Sequence, residues 1–373
     1  MQKRKTNILL IRNSWGFGGA ENYPLNLSTS LQKYGYRPLV ITRVPELIAK
    51  CQNRHIDYKK GLWNRRQNWT RTYYLVGPIV TLWYIYIIFR YKINIVHPQG
   101  RDDFIFATQA AWLCRKPIVW TDHGDLKYIM KKETPKRLRR LILKNANRTS
   151  AVIAVSNSEH AEILAACPEF PKLQTIYNGV FIPTDINPIK RSKDSLVIVS
   201  TSRLIDSKGI RELLEGFSKI QVDLRKNAVL WLVGTGNDEI EYEKIVKKLG
   251  IKDLVIFWGF QENVADFLES ADIFIHPSYH EAFSLSIIEA CMAGLPVVAT
   301  NAGGNGEIVD DSNGILVRPR DPGAITQALN HLLMDRSKRI LLGNNSGQKA
   351  RSSFNFDKIV RDQVIKIYEA AQK

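Results

Sequence analysis

Two glutamates stand eight positions apart in HEAFSLSIIEACMAGLPVVAT, which spans residues 280–300. Paired carboxylates can act as a general acid and a general base, or they can accept hydrogen bonds from ligand hydroxyl groups. If both residues were helical, Glu281 and Glu289 would point about 80° apart, so they do not form a matched acid–base pair. The spacing suits contacts to a polyhydroxylated ligand, and the alternative is two ordinary surface residues.

The pattern around the two glutamates places them on different elements. DIFIHP predicts a strand, PSYHEAF the loop at its carboxyl end, and SLSIIEACMA a helix whose N-cap is Ser284. Glu281 then lies on the loop and Glu289 in the second turn of the helix. The helix start offers the backbone amides of Phe283, Ser284 and Leu285, an arrangement typical of phosphate sites.

Two cations follow another predicted strand, VIVST, at its carboxyl end. Arg203 and Lys208 lie in the loop before a helix that starts near Gly209. Together they would neutralise a diphosphate without a metal ion, whereas Lys208 alone is equally consistent with a solvated surface. Later loops, GTG at 234–236 and WGFQEN at 258–263, are suited to a flat nucleobase, with Phe260 in the second.

The first half contains a strand, a glycine loop and a helix in ILLIRNSWGFGGAENYP. Glu21 stands where the dinucleotide-binding fingerprint needs its third glycine, so that fingerprint is absent. Gly18 and Gly19 would let a ligand approach the backbone closely, or they form a plain tight turn.

A lone histidine follows the predicted strand that ends at Thr121. Asp122 and His123 stand at its carboxyl end, where His123 is either catalytic or structural. Asp102 and Asp103, after INIVHPQGR, are weaker candidates of the same kind. The sequence contains no metal-ligand spacing, no G-x-S-x-G elbow and no Walker loop.

Short β-branched runs alternate with helical patterns along the whole chain of 373 residues, as expected for parallel sheets covered by helices. We expect strands near 7–11, 38–42, 94–97, 117–121 and 151–155, and a second series from residue 196. A proline-containing linker at 177–195 separates two doubly wound α/β domains, with ligands bound in the cleft between them. The predicted bounds are 1–185 and 186–355, with a C-terminal helix at 356–373 that packs back on the first domain.

The formal net charge of +17 is concentrated in the first half, where residues 1–183 carry 29 Lys and Arg against 11 Asp and Glu. Such a field attracts polyanions, anionic lipid or acidic substrates, or it merely keeps the protein soluble. The segment 127–148 is basic with apolar residues at helical spacing, which predicts a basic amphipathic helix at an anionic membrane. Its candidate contact residues are Lys131, Lys132, Arg137, Arg139 and Arg140.

The uncharged segment 73–89 has the minimum length for a bilayer span, and Gly77-Pro78 interrupts it. We interpret it as a buried or interfacial helix, because a strand pattern follows it immediately. The N-terminal apolar run is too short for a signal peptide. Four widely spaced cysteines argue against a disulfide framework and a structural zinc site.

Taken together, these motifs resemble glycosyltransferase family 4, whose members are retaining enzymes with the GT-B fold. The strongest match is the E-x7-E signature at 281–289, followed by G-L-P-V-V-A. Four more matches run in family order: G-G-A-E (18–21), Y-N-G-V (177–180), S-R-L-(x)3-K-G (202–209) and W-G-F (258–260). Two departures are Ala282, where glycine is commoner, and Phe181, where many members have aspartate.

The resemblance implies two Rossmann-like doubly wound domains facing across a cleft, and a role for each candidate residue. Glu281 would contact the donor sugar, and Glu289 the ribose. Arg203 and Lys208, with the amides of 283–285, would hold the diphosphate, and Phe260 would pack on the base. Gly18 and Gly19 would border the reaction centre, and His123 would face the transferred sugar or the acceptor.

The function implied is metal-independent, retaining hexosyl transfer from a nucleotide sugar, with no cofactor. Uridine donors are the default and guanosine donors remain open. The acceptor would be a lipid-linked glycan in polysaccharide, lipopolysaccharide or glycolipid synthesis, at the inner face of the cytoplasmic membrane. The alternatives are a sugar-nucleotide epimerase and a non-catalytic binding module, although we expect no nucleic acid partner. The oligomeric state is left open.

Overall fold

The computed structural model describes residues 6–13, 19–62, 69–100, 103–191 and 195–373, save for the side chains of 69–75. The chain divides into two compact units: unit 1 is Met1–Asn178 with Phe356–Lys373, and unit 2 is Gly179–Asn355. The backbone amide of Val180 donates a hydrogen bond to the carbonyl of Phe354 (3.1 Å), and Val180 forms a parallel bridge with Asn355. The chain therefore enters and leaves unit 2 at adjacent points.

The described part of unit 1 contains parallel strands in two hydrogen-bonded groups. These are β1 Asn7–Ile11, β2 Arg37–Thr42, β3 Tyr58–Lys60, β4 Ile95–Pro98, β5 Val119–Asp122, β6 Ala151–Ala154 and β7 Leu173–Thr175. The groups are ordered β3-β2-β1-β4 and β5-β6-β7, and a parallel bridge between Val96 and Ile118 joins β4 to β5. The order reverses between β1 and β4, which is the doubly wound arrangement.

Helices cover this sheet, and apolar residues of strands and helices form one core. In chain order they are α1 Gly19–Lys33, α2 Pro45–Asn53, α3 Trp69–Arg90, α4 Asp103–Leu113, α5 Leu126–Ile129, α6 Lys136–Ala146 and α7 Asn157–Ala166. Phe104 of α4 stacks on Trp120 of β5 with ring centroids 4.5 Å apart. Both rings are fully buried, and each such burial stabilises the fold by about 2–3 kcal/mol.

Helix α3 contains the uncharged segment 73–89, and from residue 76 onward it is half buried. Val80, Tyr84, Ile87 and Ile88 face the core, as expected for a helix that packs on its own domain. None of the described helices is long and apolar enough to cross a membrane.

Unit 2 repeats the same plan around a parallel sheet ordered β10-β9-β8-β11-β12-β13. Its strands are β8 Leu196–Thr201, β9 Ala228–Val233, β10 Val255–Gly259, β11 Ile273–His276, β12 Val297–Thr300 and β13 Gly314–Val317. Its helices are α8 Ile210–Ser218, α9 Val222–Arg225, α10 Glu239–Lys248, α11 Val264–Glu269, α12 Leu285–Met292, α13 Asn305–Ile308, α14 Pro322–Met334 and α15 Arg336–Ser353. Both units therefore confirm the predicted doubly wound α/β architecture.

The C-terminal segment belongs to unit 1. It consists of α16 Phe356–Ile359, a π turn at Val360–Val364 and α17 Ile365–Ala371. The Tyr368 hydroxyl lies 2.6 Å from Nδ1 of His97, whose Nε2 lies 2.7 Å from the hydroxyl of Thr121. Burial lowers the pKa of His97 to about 3, so this histidine is a neutral structural link.

Candidate functional site

The reversal of strand order in unit 2 brings two predicted segments to one place. β8 and β11 are parallel neighbours at this switch point, and open α/β sheets bind ligands in the crevice beyond the carboxyl ends of such strands. The loop after β8 carries Arg203 and Lys208, and the loop after β11 carries Glu281. Lys208 and Glu281 are in direct contact there.

The two loops are fastened to each other through the backbone. The amide of Tyr279 donates to the carbonyl of Ser207 (2.9 Å), and the Ser278 hydroxyl donates to the same carbonyl (3.2 Å). Gly209 has φ +67°, and a Cβ at this position would lie 2.1 Å from the carbonyl oxygen of Pro277. Only glycine allows this approach.

The Glu281 carboxylate is held by two side chains that share one of its oxygens. Lys208 Nζ forms an ion pair with Oε1, and His276 Nε2 lies 2.8 Å from the same atom. Burial by itself raises the pKa of Glu281, but the hydrogen bond from His276 and the charge of Lys208 outweigh it and hold that pKa below its usual value. Glu281 is therefore ionised at neutral pH and can accept hydrogen bonds but cannot donate a proton.

A glycine pair fixes the backbone of Glu281. The amide of Gly304 donates to the carbonyl of Glu281 (3.0 Å). Gly303 has φ +55°, and a Cβ there would lie only 1.8 Å from that carbonyl oxygen. The turn after β12 thus requires glycine in order to hold the Glu281 loop.

Helix α12 begins beside Glu281 as predicted. The Ser284 hydroxyl accepts a hydrogen bond from the amide of Ile287 (3.4 Å), which confirms Ser284 as the N-cap. Phe283 is buried, with its ring edge-to-face to Phe354 at 5.6 Å. Among the described residues, the amides of Ser284 and Leu285 have no acceptor, so the start of α12 offers two donors to an anion.

Glu289 lies in the second turn of α12, half buried. Within the described ranges, no hydrogen-bond or ion-pair partner acts on its carboxylate. Burial raises the pKa of Glu289 to about 7. Unlike Glu281, Glu289 is therefore only partly ionised at neutral pH, and it has no ion-pair partner among the described residues.

We expect Glu289 to make stability depend on pH. The pKa of Glu289 is higher in the folded than in the unfolded chain, so the free energy of unfolding should fall as pH rises from about 4.5 to about 7. The substitution Glu289→Gln should remove on the order of 2 kcal/mol of this fall. Urea unfolding across this pH range measures the effect. Glu262→Gln, at an exposed site, is the matched control, and equal pH slopes in wild type and Glu289→Gln would contradict the assignment.

Arg203 is exposed on its loop, and the GTG loop shapes the backbone on either side of it. The backbone amide of Ser202 donates to the carbonyl of Val233 (3.1 Å), and the amide of Leu204 donates to the carbonyl of Thr235 (2.9 Å). A Cβ on Gly234 would lie 2.1 Å from the Ser202 carbonyl oxygen. Position 234 therefore requires glycine, because the Arg203 loop packs directly against its backbone.

Phe260 lies on the loop after β10 with 68% of its surface exposed. Its neighbour Gln261 donates from its side-chain amide to the carbonyl of Trp258 (2.7 Å), which fixes the loop. An exposed aromatic ring on a fixed loop is available to pack on a planar group.

In unit 1, the candidate histidine His123 directly follows strand β5. Its ring lies edge-to-face to Tyr23 at 4.8 Å, and Nε2 is buried with no hydrogen-bond partner among the described residues. Burial, with smaller contributions from Arg12 and His97, lowers the pKa of His123 well below its usual value. A neutral imidazole of this kind suits a hydrogen bond to a hydroxyl group.

The aspartates near His123 have structural partners. Asp122 Oδ1 accepts from the amides of Asp125 and Leu126, both at 3.1 Å. Asp103 accepts from the amide of Asn13 and from the hydroxyl of Tyr84, both at 3.1 Å. These hydrogen bonds give both carboxylates a structural role. Asp102 lies outside the described residues.

The glycine loop of unit 1 is described in part. Gly18 lies outside the described residues, and Gly19 is the first residue of α1. Glu21, in the same motif, forms a buried ion pair with Arg12 at 2.7 Å. Sequence reasoning did not identify this pair, because nothing in the local pattern marks Arg12 as buried.

The basic segment 127–148 is not one helix, which corrects the prediction. α5 ends at Ile129 and α6 begins at Lys136, because Pro135 cannot donate the hydrogen bond that a helix through this position needs. Lys127 is buried and pairs with Glu159 and Glu162. Arg139 is only half exposed, whereas Lys131, Lys132, Arg137 and Arg140 are exposed.

His276 is a site residue that the sequence analysis missed. It is the last residue of β11 and contacts Glu281 five positions later. Its place at the carboxyl end of a strand was visible, but the direction of its ring was not. No group of three or more His, Cys, Asp or Glu able to hold a metal ion occurs in the part of the chain that the structure describes.

Two protein-family models match consecutive parts of the chain. Residues 17–182 match the model described as Glycosyltransferase Family 4, and residues 181–349 match the model described as Glycosyl transferases group 1. Together the matches extend over both structural units.

Named relatives agree with these matches. The N-acetyl-alpha-D-glucosaminyl L-malate synthase of Bacillus anthracis is 28% identical over 264 residues, 68% of this chain and 67% of its own. The lipopolysaccharide core biosynthesis glycosyltransferase LpsE of Rhizobium meliloti is 27% identical over 182 residues, 48% of this chain and 52% of its own.

The fold also matches a solved structure. The Anabaena protein HepE, in complex with UDP, superposes with a TM-score of 0.81 at 21% identity, covering 98% of this chain and 100% of that one. HepE was also solved in complex with UDP-glucose. At this level of identity the match establishes the GT-B fold.

Proposed function

Because this chain belongs to glycosyltransferase family 4, we propose that it transfers a hexose from a UDP-sugar to an acceptor hydroxyl with retention and without a metal ion. The observation that carries the proposal is the contact of Lys208 with an ionised Glu281 at the switch point of unit 2. The start of α12, with its two available amides, lies next to this pair.

Each group of the crevice fits one part of such a donor. Lys208 and Arg203, with the amides of Ser284 and Leu285, would bind the diphosphate. Glu281 would accept hydrogen bonds from sugar hydroxyls through Oε2, since both of its partners among the described residues bind Oε1. Glu289 would accept from the ribose hydroxyls, and Phe260 would pack on the base.

The proposed step breaks the bond between the anomeric carbon and the diphosphate oxygen, and the electron pair leaves with the diphosphate. The acceptor oxygen forms the new bond on the same face, and its proton passes to the departing phosphate. Lys208, Arg203 and the α12 amides stabilise the charge that develops on the leaving group. Glu281 takes no part as an acid because it is ionised.

Three residues complete the proposal in unit 1. His123 would donate to, or accept from, a hydroxyl of the transferred sugar or acceptor through Nε2, which has no partner in the described part of the chain. Gly19 would border the reacting atoms at the start of α1, and Gly18 precedes it. Uridine is the first base to test because HepE was solved with UDP and UDP-glucose, and guanosine donors are the second.

The test is incubation with a panel of UDP- and GDP-sugars, with and without a glycan-lipid acceptor, followed by NMR of the anomeric products. We expect one donor to be consumed with an α-linked product from an α-linked donor, at a rate unchanged by EDTA. Formation of an epimeric nucleotide sugar without acceptor would support the epimerase alternative. An inverted product or a loss of activity in EDTA would contradict the retaining or metal-independent part.

We propose further that the acceptor is lipid-linked and that unit 1 binds the cytoplasmic face of an anionic membrane. Exposed cations of α6 and of the preceding loop support this, and α4 packs against both α6 and α3. On α3, Ile79, Leu82, Tyr86 and Phe89 form an exposed apolar stripe, with 65% of Leu82 and 67% of Phe89 exposed. Cations and apolar side chains together are typical of interfacial helices.

Removing these charges should weaken membrane binding. We expect replacement of Lys131, Lys132, Arg137, Arg139 and Arg140 by glutamine to lower affinity for vesicles containing 30% phosphatidylglycerol by roughly 100-fold or more, at about 1 kcal/mol per exposed cation. Co-sedimentation measures this. The control replaces five exposed lysines of unit 2: Lys219, Lys244, Lys247, Lys248 and Lys252. Equal affinities in the two variants would contradict the proposed surface.

A further inference from the structure

The side chain of His276 makes one hydrogen bond among the described residues, and that bond is to Glu281. Its Nε2 lies 2.8 Å from Glu281 Oε1, and Nδ1 is buried without a partner in the same part of the chain. An ionised carboxylate only accepts hydrogen bonds, so Nε2 carries the proton. The ring is therefore oriented toward Glu281 alone.

Glu281 has a second partner of a different kind. Lys208 contacts the same Oε1 from a 3₁₀ turn at Asp206–Lys208, through a long flexible side chain. His276 is 2% exposed, and its backbone pairs with Ala299 in the parallel strand β12. A lysine can turn to a new anion by rotation of its side chain, whereas a buried ring on a central strand cannot.

The position of the ring also determines which carboxylate oxygen is free. Both partners bind Oε1, so Oε2 has no partner among the described side chains. Packing helps to hold this orientation, since the His276 ring is parallel to the Phe274 ring at 6.3 Å.

We infer that His276 is a positioning residue that keeps Glu281 in place, with Oε2 directed to the sugar hydroxyls, when Lys208 moves from Glu281 to the donor diphosphate. This inference rests on the proposed function, because the diphosphate is what would draw Lys208 away. It assigns no contact between His276 and the substrate.

The test is a double-mutant cycle on wild type, His276→Phe, Glu281→Gln and the double variant. Phenylalanine retains the ring but has no N–H donor. We expect His276→Phe to lower kcat/KM for the preferred UDP-sugar by about 10- to 100-fold, the range for a hydrogen bond to a charged group. In the Glu281→Gln background the same change should lower it less than threefold.

His276→Gln separates positioning from general packing, because its side-chain amide restores a donor near Nε2. We expect this variant to recover activity to within about fivefold of wild type. The loss in His276→Phe should appear in kcat more than in KM for UDP-sugar, since Lys208 still binds the diphosphate. An unchanged kcat/KM in His276→Phe, or the same loss in both backgrounds, would overturn the inference.

A cycle of urea unfolding on the same four proteins, without ligand, measures the coupling of His276 to Glu281 independently of turnover. We expect a coupling clearly different from zero, and its absence would overturn the inference. If wild type turns over no nucleotide sugar while the coupling is present, the proposed function fails and the His276–Glu281 contact stands.

Discussion

Replacing Lys208 by alanine should lower kcat for sugar transfer by about 100- to 1000-fold, the cost of removing one group that stabilises transition-state charge. Lys208 is the cation in contact with Glu281, and in the proposed step it moves to the diphosphate. Initial-rate kinetics with saturating UDP-sugar measure the effect.

The matched control for this change is Lys219→Ala, which removes an exposed lysine just after α8. We expect its kcat to equal that of wild type within experimental error. Lys208→Arg keeps the charge but has a larger planar head, and we expect an intermediate loss. A kcat for Lys208→Ala within threefold of wild type would remove Lys208 from the mechanism.

Gly303→Ala should both destabilise unit 2 and abolish donor binding. The added Cβ would lie 1.8 Å from the carbonyl oxygen of Glu281 at a backbone φ of +55°, so the Glu281 loop must move. We expect a loss of about 3–5 kcal/mol in the free energy of unfolding, the range of severe steric and backbone effects. Urea unfolding and UDP titration by calorimetry measure the two results.

Gly250→Ala separates backbone strain from steric collision. Gly250 has φ +65°, close to that of Gly303, but nothing lies within 4 Å of the added Cβ. We expect a cost of only about 1–2 kcal/mol, the penalty of the left-handed conformation, and unchanged UDP binding. Similar losses in the two variants would show that the collision with Glu281 is absent in solution.

Much of the fold followed from the sequence because the central strands are apolar and β-branched. VIVST, IFIH and VVAT of β8, β11 and β12 are buried on both faces and read as continuous runs. β3 and β7 were missed. Each is a three-residue edge strand, YKK and LQT, with exposed or half-buried side chains, so neither has a periodic apolar pattern.

Local signals placed the helix start at Ser284 correctly, since capping depends on neighbouring residues alone. The contact of Lys208 with Glu281 joins residues far apart in sequence, so it required the topology of the sheet. Orientation of His276 depends on packing within that sheet. In the segment 127–148, apolar residues at helical spacing between the cations predict one helix, but Pro135 interrupts it and stands at the N-cap of α6.

The two adjacent crossings between the units set an order for folding during synthesis. Residues 179–355 are contiguous, so unit 2 has all of its strands as soon as it leaves the ribosome. Unit 1 is synthesised first but stays incomplete, because Tyr368, the partner of buried His97, emerges only after all of unit 2. We therefore expect the half of the protein that is translated first to complete its core last.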